Sequence, residues 1–170
     1  HDETHAVIYD YSAPALALRK MMAEEWNGEN YGAFFQQAKQ RIEAMFPGRV
    51  TFLPETITKD AAAVEKEFQR EIATGFANTK QWLAHWRRFK KLRHTYVEVD
   101  VLQEHGKLKA MIDHNARGHC VLWFSDMFNS PNAVGKFKLD RRKTAYNVIR
   151  DTLAARTESY LILGGAPSLW

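Results

Sequence analysis

Hydrophobic and polar residues alternate along the chain with two different periods, and each period predicts a different secondary structure. Short apolar runs rich in β-branched and aromatic residues predict five strands, at residues 6–11, 49–55, 94–102, 119–128 and 159–167. Apolar residues at helical spacing predict helices at residues 13–26, 33–46, 60–76, 80–93, 106–116 and 139–156. Strand 119–128 is the most apolar, so we expect it at the centre of a sheet.

The alternation of short apolar strands with helices is typical of a parallel sheet that helices cover on both faces. We therefore predict an α/β fold with a doubly wound, mostly parallel sheet of about five strands. A chain of 170 residues is long enough for one such domain with a full hydrophobic core. No repeat, low-complexity tract or linker interrupts the pattern. We therefore predict a single Rossmann-like domain over residues 1–170.

Polar residues follow several predicted strands, at the end where ligands bind in a doubly wound sheet. These strand-end residues are Asp10, Ser12, Glu55, Thr56, Asp100, Ser125, Asp126 and Asn129. Polar residues are also common at these positions because their side chains bond the amides of the loops that begin there. Two interpretations stay open: a ligand site built from several strand ends, or a set of ordinary loop-stabilising side chains.

The run HAVIYDYSAPALALRKM at residues 5–21 resembles the second strand and following helix of class I S-adenosylmethionine-dependent methyltransferases. The runs RVTFLPE, TYVEVDVL and CVLWFSDMF resemble the third, fourth and fifth strands of that family. The resemblance implies a domain that binds S-adenosylmethionine and transfers its methyl group to an unidentified acceptor. It implies that Asp10, with Ser12 beside it, holds the ribose hydroxyls of this cofactor. Glu55 or Thr56 would then lie beside the adenine.

On the acceptor side, the resemblance places Asp100 and Asp126 beside the methyl acceptor. Asp126 could take a proton there, and Asn129 could orient an amine. The glycine-rich first motif of the family is absent, so the space between the strand of Asp10 and the fourth strand lacks its usual occupant. The chain also begins at His1 rather than Met. We expect either the C-terminal part of a longer protein or a fold reused without the cofactor.

The net charge of +4 is unevenly distributed. The run KQWLAHWRRFKKLRH at residues 80–94 contains six Lys or Arg and no acidic residue, so the remainder of the chain is slightly acidic. One interpretation is an amphipathic helix that buries its aromatic residues on the sheet and exposes its charges. The other is a non-catalytic module that binds nucleic acid or an acidic partner protein. Its anion-binding residues would be Arg87, Arg88, Lys90 and Lys91.

The remaining chemistry of the sequence restricts the choice of function. Cys120 is the only cysteine, so no internal disulfide forms, and a reducing compartment such as the cytoplasm is expected. His114 and His119 lie near it in sequence but lack the spacing of a metal site, so we expect no metal. No apolar run approaches the ~20 residues that span a bilayer, and we expect no membrane partner.

Overall fold

The computed structural model describes residues 5–49, 60–124, 127–164 and 166–167. The strands within these residues are β1 (His5–Asp10), β2 (Arg93–Glu98), β3 (His119–Trp123) and β4 (Ser159–Leu163). The helices are α1 (Ala13–Glu25), α2 (Tyr31–Met45), α3 (Ala61–Gly75), α4 (Thr79–Lys90), α5 (His105–Asn115), α6 (Pro131–Lys136) and α7 (Leu139–Arg156). The chain divides into two compact units, His1–Glu98 and Val99–Trp170, called here the first and the second unit.

In the first unit, β1 and β2 form a parallel pair in a register that runs from His5 opposite Arg93 to Asp10 opposite Glu98. Ser12 caps α1 by accepting the backbone N–H of Ala15, as its position before an Ala-Pro pair predicts. Helices α1, α2 and α3 pack around a hydrophobic core. The buried members of this core are Leu18, Met21, Phe35, Ala38, Ile42 and Val64.

In the second unit, β3 and β4 form a parallel pair, and α5 packs against α7. Leu108, Ile149 and Leu153 are completely buried. One face of the β3–β4 pair is exposed, because Val121 and Trp123 retain 66% and 70% of their accessible surface. Their register partners Leu161 and Leu163 are exposed as well. Helix α6 lies in a segment for which the sequence predicted no helix.

The predicted five-stranded, doubly wound sheet is wrong. Within the described ranges there are two separate two-stranded parallel sheets, β1 with β2 and β3 with β4. The apolar character of a strand indicates that it is buried but not which strand accepts its hydrogen bonds, so the pattern could not define the pairing. The predicted strand at 49–55 falls almost wholly on residues 50–59, which lie outside the described residues.

No helix in the described part of the chain is both long enough and apolar enough to cross a bilayer.

Candidate functional site

Asp10 and Ser12, predicted to bind a ribose, shape the turn between β1 and α1. One carboxylate oxygen of Asp10 accepts the backbone N–H of Ser12 at 3.0 Å, and the other lies 3.4 Å from the guanidinium of Arg19. Glu98 is the register partner of Asp10. Two acidic residues therefore end neighbouring parallel strands, and Asp10 already has a local structural role there.

The space expected between the strand of Asp10 and the fourth strand of the methyltransferase pattern is not there. β1 and β2 are hydrogen-bonded to each other directly, so no further strand fits between them. Glu55 and Thr56, the predicted adenine contacts, lie outside the described residues.

The predicted acceptor-side residues that the structure describes, Asp100 and Asn129, contact the backbone of the second unit. Asp100 accepts the backbone N–H groups of Leu102 and Gln103 at 3.0 and 3.2 Å. The side chain of Asn129 donates to the carbonyl of Ala166 at 3.0 Å. These bonds stabilise loops, as the simpler interpretation expects. Asp126 lies outside the described residues, and the predicted cofactor and acceptor residues are not gathered within one unit.

A second basic run lies at residues 136–143. Its two arginines form hydrogen bonds within the protein. Arg142 is buried and donates to the carbonyl of Phe128 at 2.6 Å and to the side-chain oxygen of Asn129 at 3.3 Å. Arg141 donates to the carbonyl of Leu102 at 3.1 Å. Both side chains therefore hold loop backbone in place at the start of α7.

Helix α4 carries a continuous aromatic stack. Asn78 caps the helix by accepting the backbone N–H of Gln81. Trp82, Trp86 and Phe89 follow at spacings of four and three residues, so their rings share one face. The rings of Trp82 and Trp86 are stacked at 5.7 Å, and those of Trp86 and Phe89 at 5.3 Å.

The stack continues from α4 into strand β2. The ring of His94 lies 4.7 Å from that of Phe89. Burial lowers the pKa of His94, with the charge of Glu24 opposing, so this ring is neutral at neutral pH. The run of rings continues along β2, because the ring of His94 is stacked on that of Tyr96 at 6.2 Å.

Trp26, at the end of α1, anchors α4 to the first unit. Its ring lies 5.0 Å from that of Trp86. Its carbonyl accepts the indole N–H of Trp86 at 3.3 Å and the ammonium of Lys90 at 2.7 Å. Lys90 is therefore directed at the end of α1, unlike the other cations of this helix. Gly28, at φ +97°, allows the close approach, because a Cβ there would lie 2.7 Å from the Trp86 ring.

The aromatic residues of α4 do not fill the space around them. Trp82, His85, Trp86 and Phe89 line a surface depression of about 260 Å³, called here the aromatic groove. The indole N–H of Trp82 is buried and has no hydrogen-bond partner among the described residues. One of the two interpretations of the sequence buried these rings on the sheet, but they pack on Trp26 and Phe68 and leave the groove open. His85 lines the groove and follows Trp82 by three residues in the sequence. This polar ring at helical spacing was a sequence signal for an open aromatic face, and the prediction did not use it.

Four exposed cations of α4 and its C-terminus form what we call the cationic face: Lys80, Arg87, Arg88 and Lys91. None of them forms an ion pair with an acidic residue in the part of the chain that the structure describes. Some exposed cations elsewhere are paired, as in Arg41 with Glu25 and Arg70 with Glu67. The helix dipole favours Arg87 and Arg88 in the last turn but not Lys80 in the first.

A second groove in the first unit has the opposite charge. It also measures about 260 Å³ and is lined by Tyr31, Val64, Glu67, Phe68 and Glu71. The guanidinium of Arg70 lies 3.7 Å from each of the two carboxylates, so an internal cation already offsets part of their charge.

Neither a metal-binding cluster among the described residues nor a similarity to known proteins indicates a further site. Among the described residues, no group of three His, Cys, Asp or Glu side chains is arranged to hold a metal ion. No protein-family model, curated protein or solved structure matches the chain.

Proposed function

We propose that this protein is a non-catalytic α/β binding module that binds nucleic acid through the cationic face of α4. The observation that carries the proposal is the cluster of exposed cations without an acidic partner among the described residues. Like charges on one helix repel one another, and a phosphate backbone removes that repulsion while releasing its own counterions. Nucleic acid is favoured over an acidic protein because the cations lie on the same helix as open aromatic rings.

The position of Arg88 supports this assignment. It lies three residues from His85, so the two side chains neighbour each other on the helix. Arg88 therefore borders the aromatic groove, while Arg87 and Lys91 extend the charge around the helix. A ligand that carries both phosphates and flat rings could contact the groove and the cations together.

The double substitution Arg87→Ala with Arg88→Ala should weaken binding of a fluorescein-labelled oligonucleotide about 10- to 100-fold at low salt, because two phosphate contacts are lost. Fluorescence anisotropy of the labelled strand measures the affinity. Both side chains are exposed, so the thermal unfolding midpoint should change little.

The matched control is Arg41→Ala with Arg70→Ala, which removes the same charge from exposed arginines that have acidic partners. This control should bind as the unaltered chain does. Equal affinity losses in both double variants would mean that net charge alone drives binding. No binding of any oligonucleotide, with tight binding of an acidic polypeptide instead, would replace nucleic acid with a protein partner.

A second candidate function, S-adenosylmethionine binding by a methyltransferase-like site, is supported by the neighbouring acids Asp10 and Glu98. Two carboxylates at adjacent strand ends suit the hydroxyls of a ribose. No glycine-rich turn accompanies them, so the residues fit the ribose and not the whole cofactor, and we derive no methyl-transfer step. Calorimetric titration of the chain with S-adenosylmethionine tests this candidate. Micromolar binding that Asp10→Ala abolishes would support it, and no binding would remove it.

We also place the protein in the cytoplasm. The sequence has one cysteine, Cys120, and burial raises the pKa of its thiol. A protonated, unreactive thiol and the absence of disulfides suit a reducing compartment.

A further inference from the structure

We infer that the aromatic groove accepts an unpaired base of the nucleic acid bound by the cationic face, so that the ligand is single-stranded. This inference rests on the proposed function and adds the class of nucleic acid to it. It depends on three features of the groove: its exposed ring surfaces, its charge and its unpartnered donor.

The ring surfaces give the groove its shape. Trp82 and Phe89 are half-buried, and His85 is exposed, so each of these rings retains surface open to a ligand. A volume of about 260 Å³ lies just below the range of sites for whole small molecules. It suits one flat ring system better than an extended ligand. Nucleobases stack on aromatic side chains with little dependence on sequence.

The charge around the groove excludes the other common occupant of aromatic sites. Trimethylammonium groups and other cations bind aromatic cages through the ring faces. Arg88, three residues from His85, joins this groove to the cationic face, whose residues have no acidic partner among the described residues, so a cationic ligand would be repelled. A nucleobase carries no charge itself, and the phosphates on either side of it are attracted by the same residues.

The hydrogen-bonding groups are consistent with a base. Trp82 lines the groove, and its indole N–H is buried and has no partner in the described ranges. A buried donor without a partner costs free energy that a ligand acceptor would recover. The carbonyl oxygens and ring nitrogens of a base are such acceptors. In a duplex the faces of the bases are stacked on one another, so the groove can reach only an unstacked base.

The experiment compares three labelled probes of about twelve nucleotides each, a length within the usual site size. They are oligothymidylate, its duplex with oligoadenylate, and an abasic strand with the same phosphates. Anisotropy titrations with the whole chain should give about tenfold or greater loss of affinity for the duplex and for the abasic strand. Equal affinities for all three would overturn the base-binding inference and leave the proposed function standing. No binding of any probe would overturn both.

The variant Phe89→Leu tests the groove from the protein side. Leucine keeps an apolar side chain but removes the ring, so the preference for oligothymidylate over the abasic strand should fall several-fold. Phe46→Leu is the matched control, because Phe46 lies at the end of α2 and does not line the groove. A preference unchanged in Phe89→Leu, or reduced equally in both variants, would contradict the inference. Far-UV circular dichroism confirms that both variants are folded.

Discussion

Replacing Trp26 with alanine should lower the free energy of unfolding by about 3–5 kcal/mol, the usual cost of deleting a buried large aromatic side chain. Trp26 retains only 2% of its accessible surface. Its ring lies within 6.2 Å of five others, belonging to Tyr31, Phe34, Phe68, Trp82 and Trp86. These rings belong to α2, α3 and α4, so the loss of one side chain removes contacts to three helices. Urea unfolding followed by circular dichroism measures the change.

Trp123→Ala is the matched control for this prediction. The same side chain is deleted, but Trp123 is 70% exposed. Surface substitutions of this kind usually change stability by no more than about 0.5 kcal/mol. A Trp26→Ala variant as stable as Trp123→Ala would show that the aromatic cluster does not hold α4 in place. Nothing in the aromatic cluster would then fix the positions of the rings that line the aromatic groove.

Gly32→Ala should destabilise the first unit by about 2–3 kcal/mol, although alanine is the better helix former. A Cβ at Gly32 would lie 2.0 Å from the carbonyl oxygen of Ala61. That oxygen belongs to the backbone at the start of α3, so no side-chain rotation relieves the clash, and α2 and α3 must separate. The separation would also strain the hydrogen bond from the backbone N–H of Gly32 to the Glu65 carboxylate.

Gly106→Ala provides the comparison, because Gly106 is also the second residue of a helix. A Cβ added there has no neighbour within 4 Å. Alanine should therefore be neutral or stabilise the chain by up to about 1 kcal/mol. The melting temperatures of both variants check the prediction. Equal effects of the two substitutions would show that α2 and α3 are not in close backbone contact at Gly32.

The helices and strands were largely predictable from local sequence patterns. Caps such as Ser12 and Asn78, together with apolar spacing, define helix boundaries through hydrogen bonds within a few residues. Helix α6 was missed because its six residues are too few for a helical period to be visible. The sheet was not predictable in the same way, because strand pairing joins residues as distant as Asp10 and Glu98. The exposed residues Val121 and Trp123 also show that an apolar strand need not be covered on both faces.

The candidate site was predicted in part. The concentration of positive charge in residues 80–94 was visible, because charge composition needs no knowledge of the fold. The sequence did not show that Lys90 is bonded within the protein while Arg88 is exposed. That bond is made to the carbonyl of Trp26, which lies far away in sequence. Asp10 differs, because its carboxylate bonds the Ser12 amide only two residues away. Adjacent sequence alone could not distinguish that cap from a ligand contact.

The measurement that tests the central claim most directly is the salt dependence of oligothymidylate binding by the whole chain. Each neutralised phosphate of a single strand contributes about −0.7 to the slope of log affinity against log salt concentration. Three or four exposed cations on α4 therefore predict a slope between about −2 and −3, and the Arg87→Ala, Arg88→Ala variant should reduce its magnitude by about 1.4. A slope near zero, or one that this variant leaves unchanged, would contradict the account.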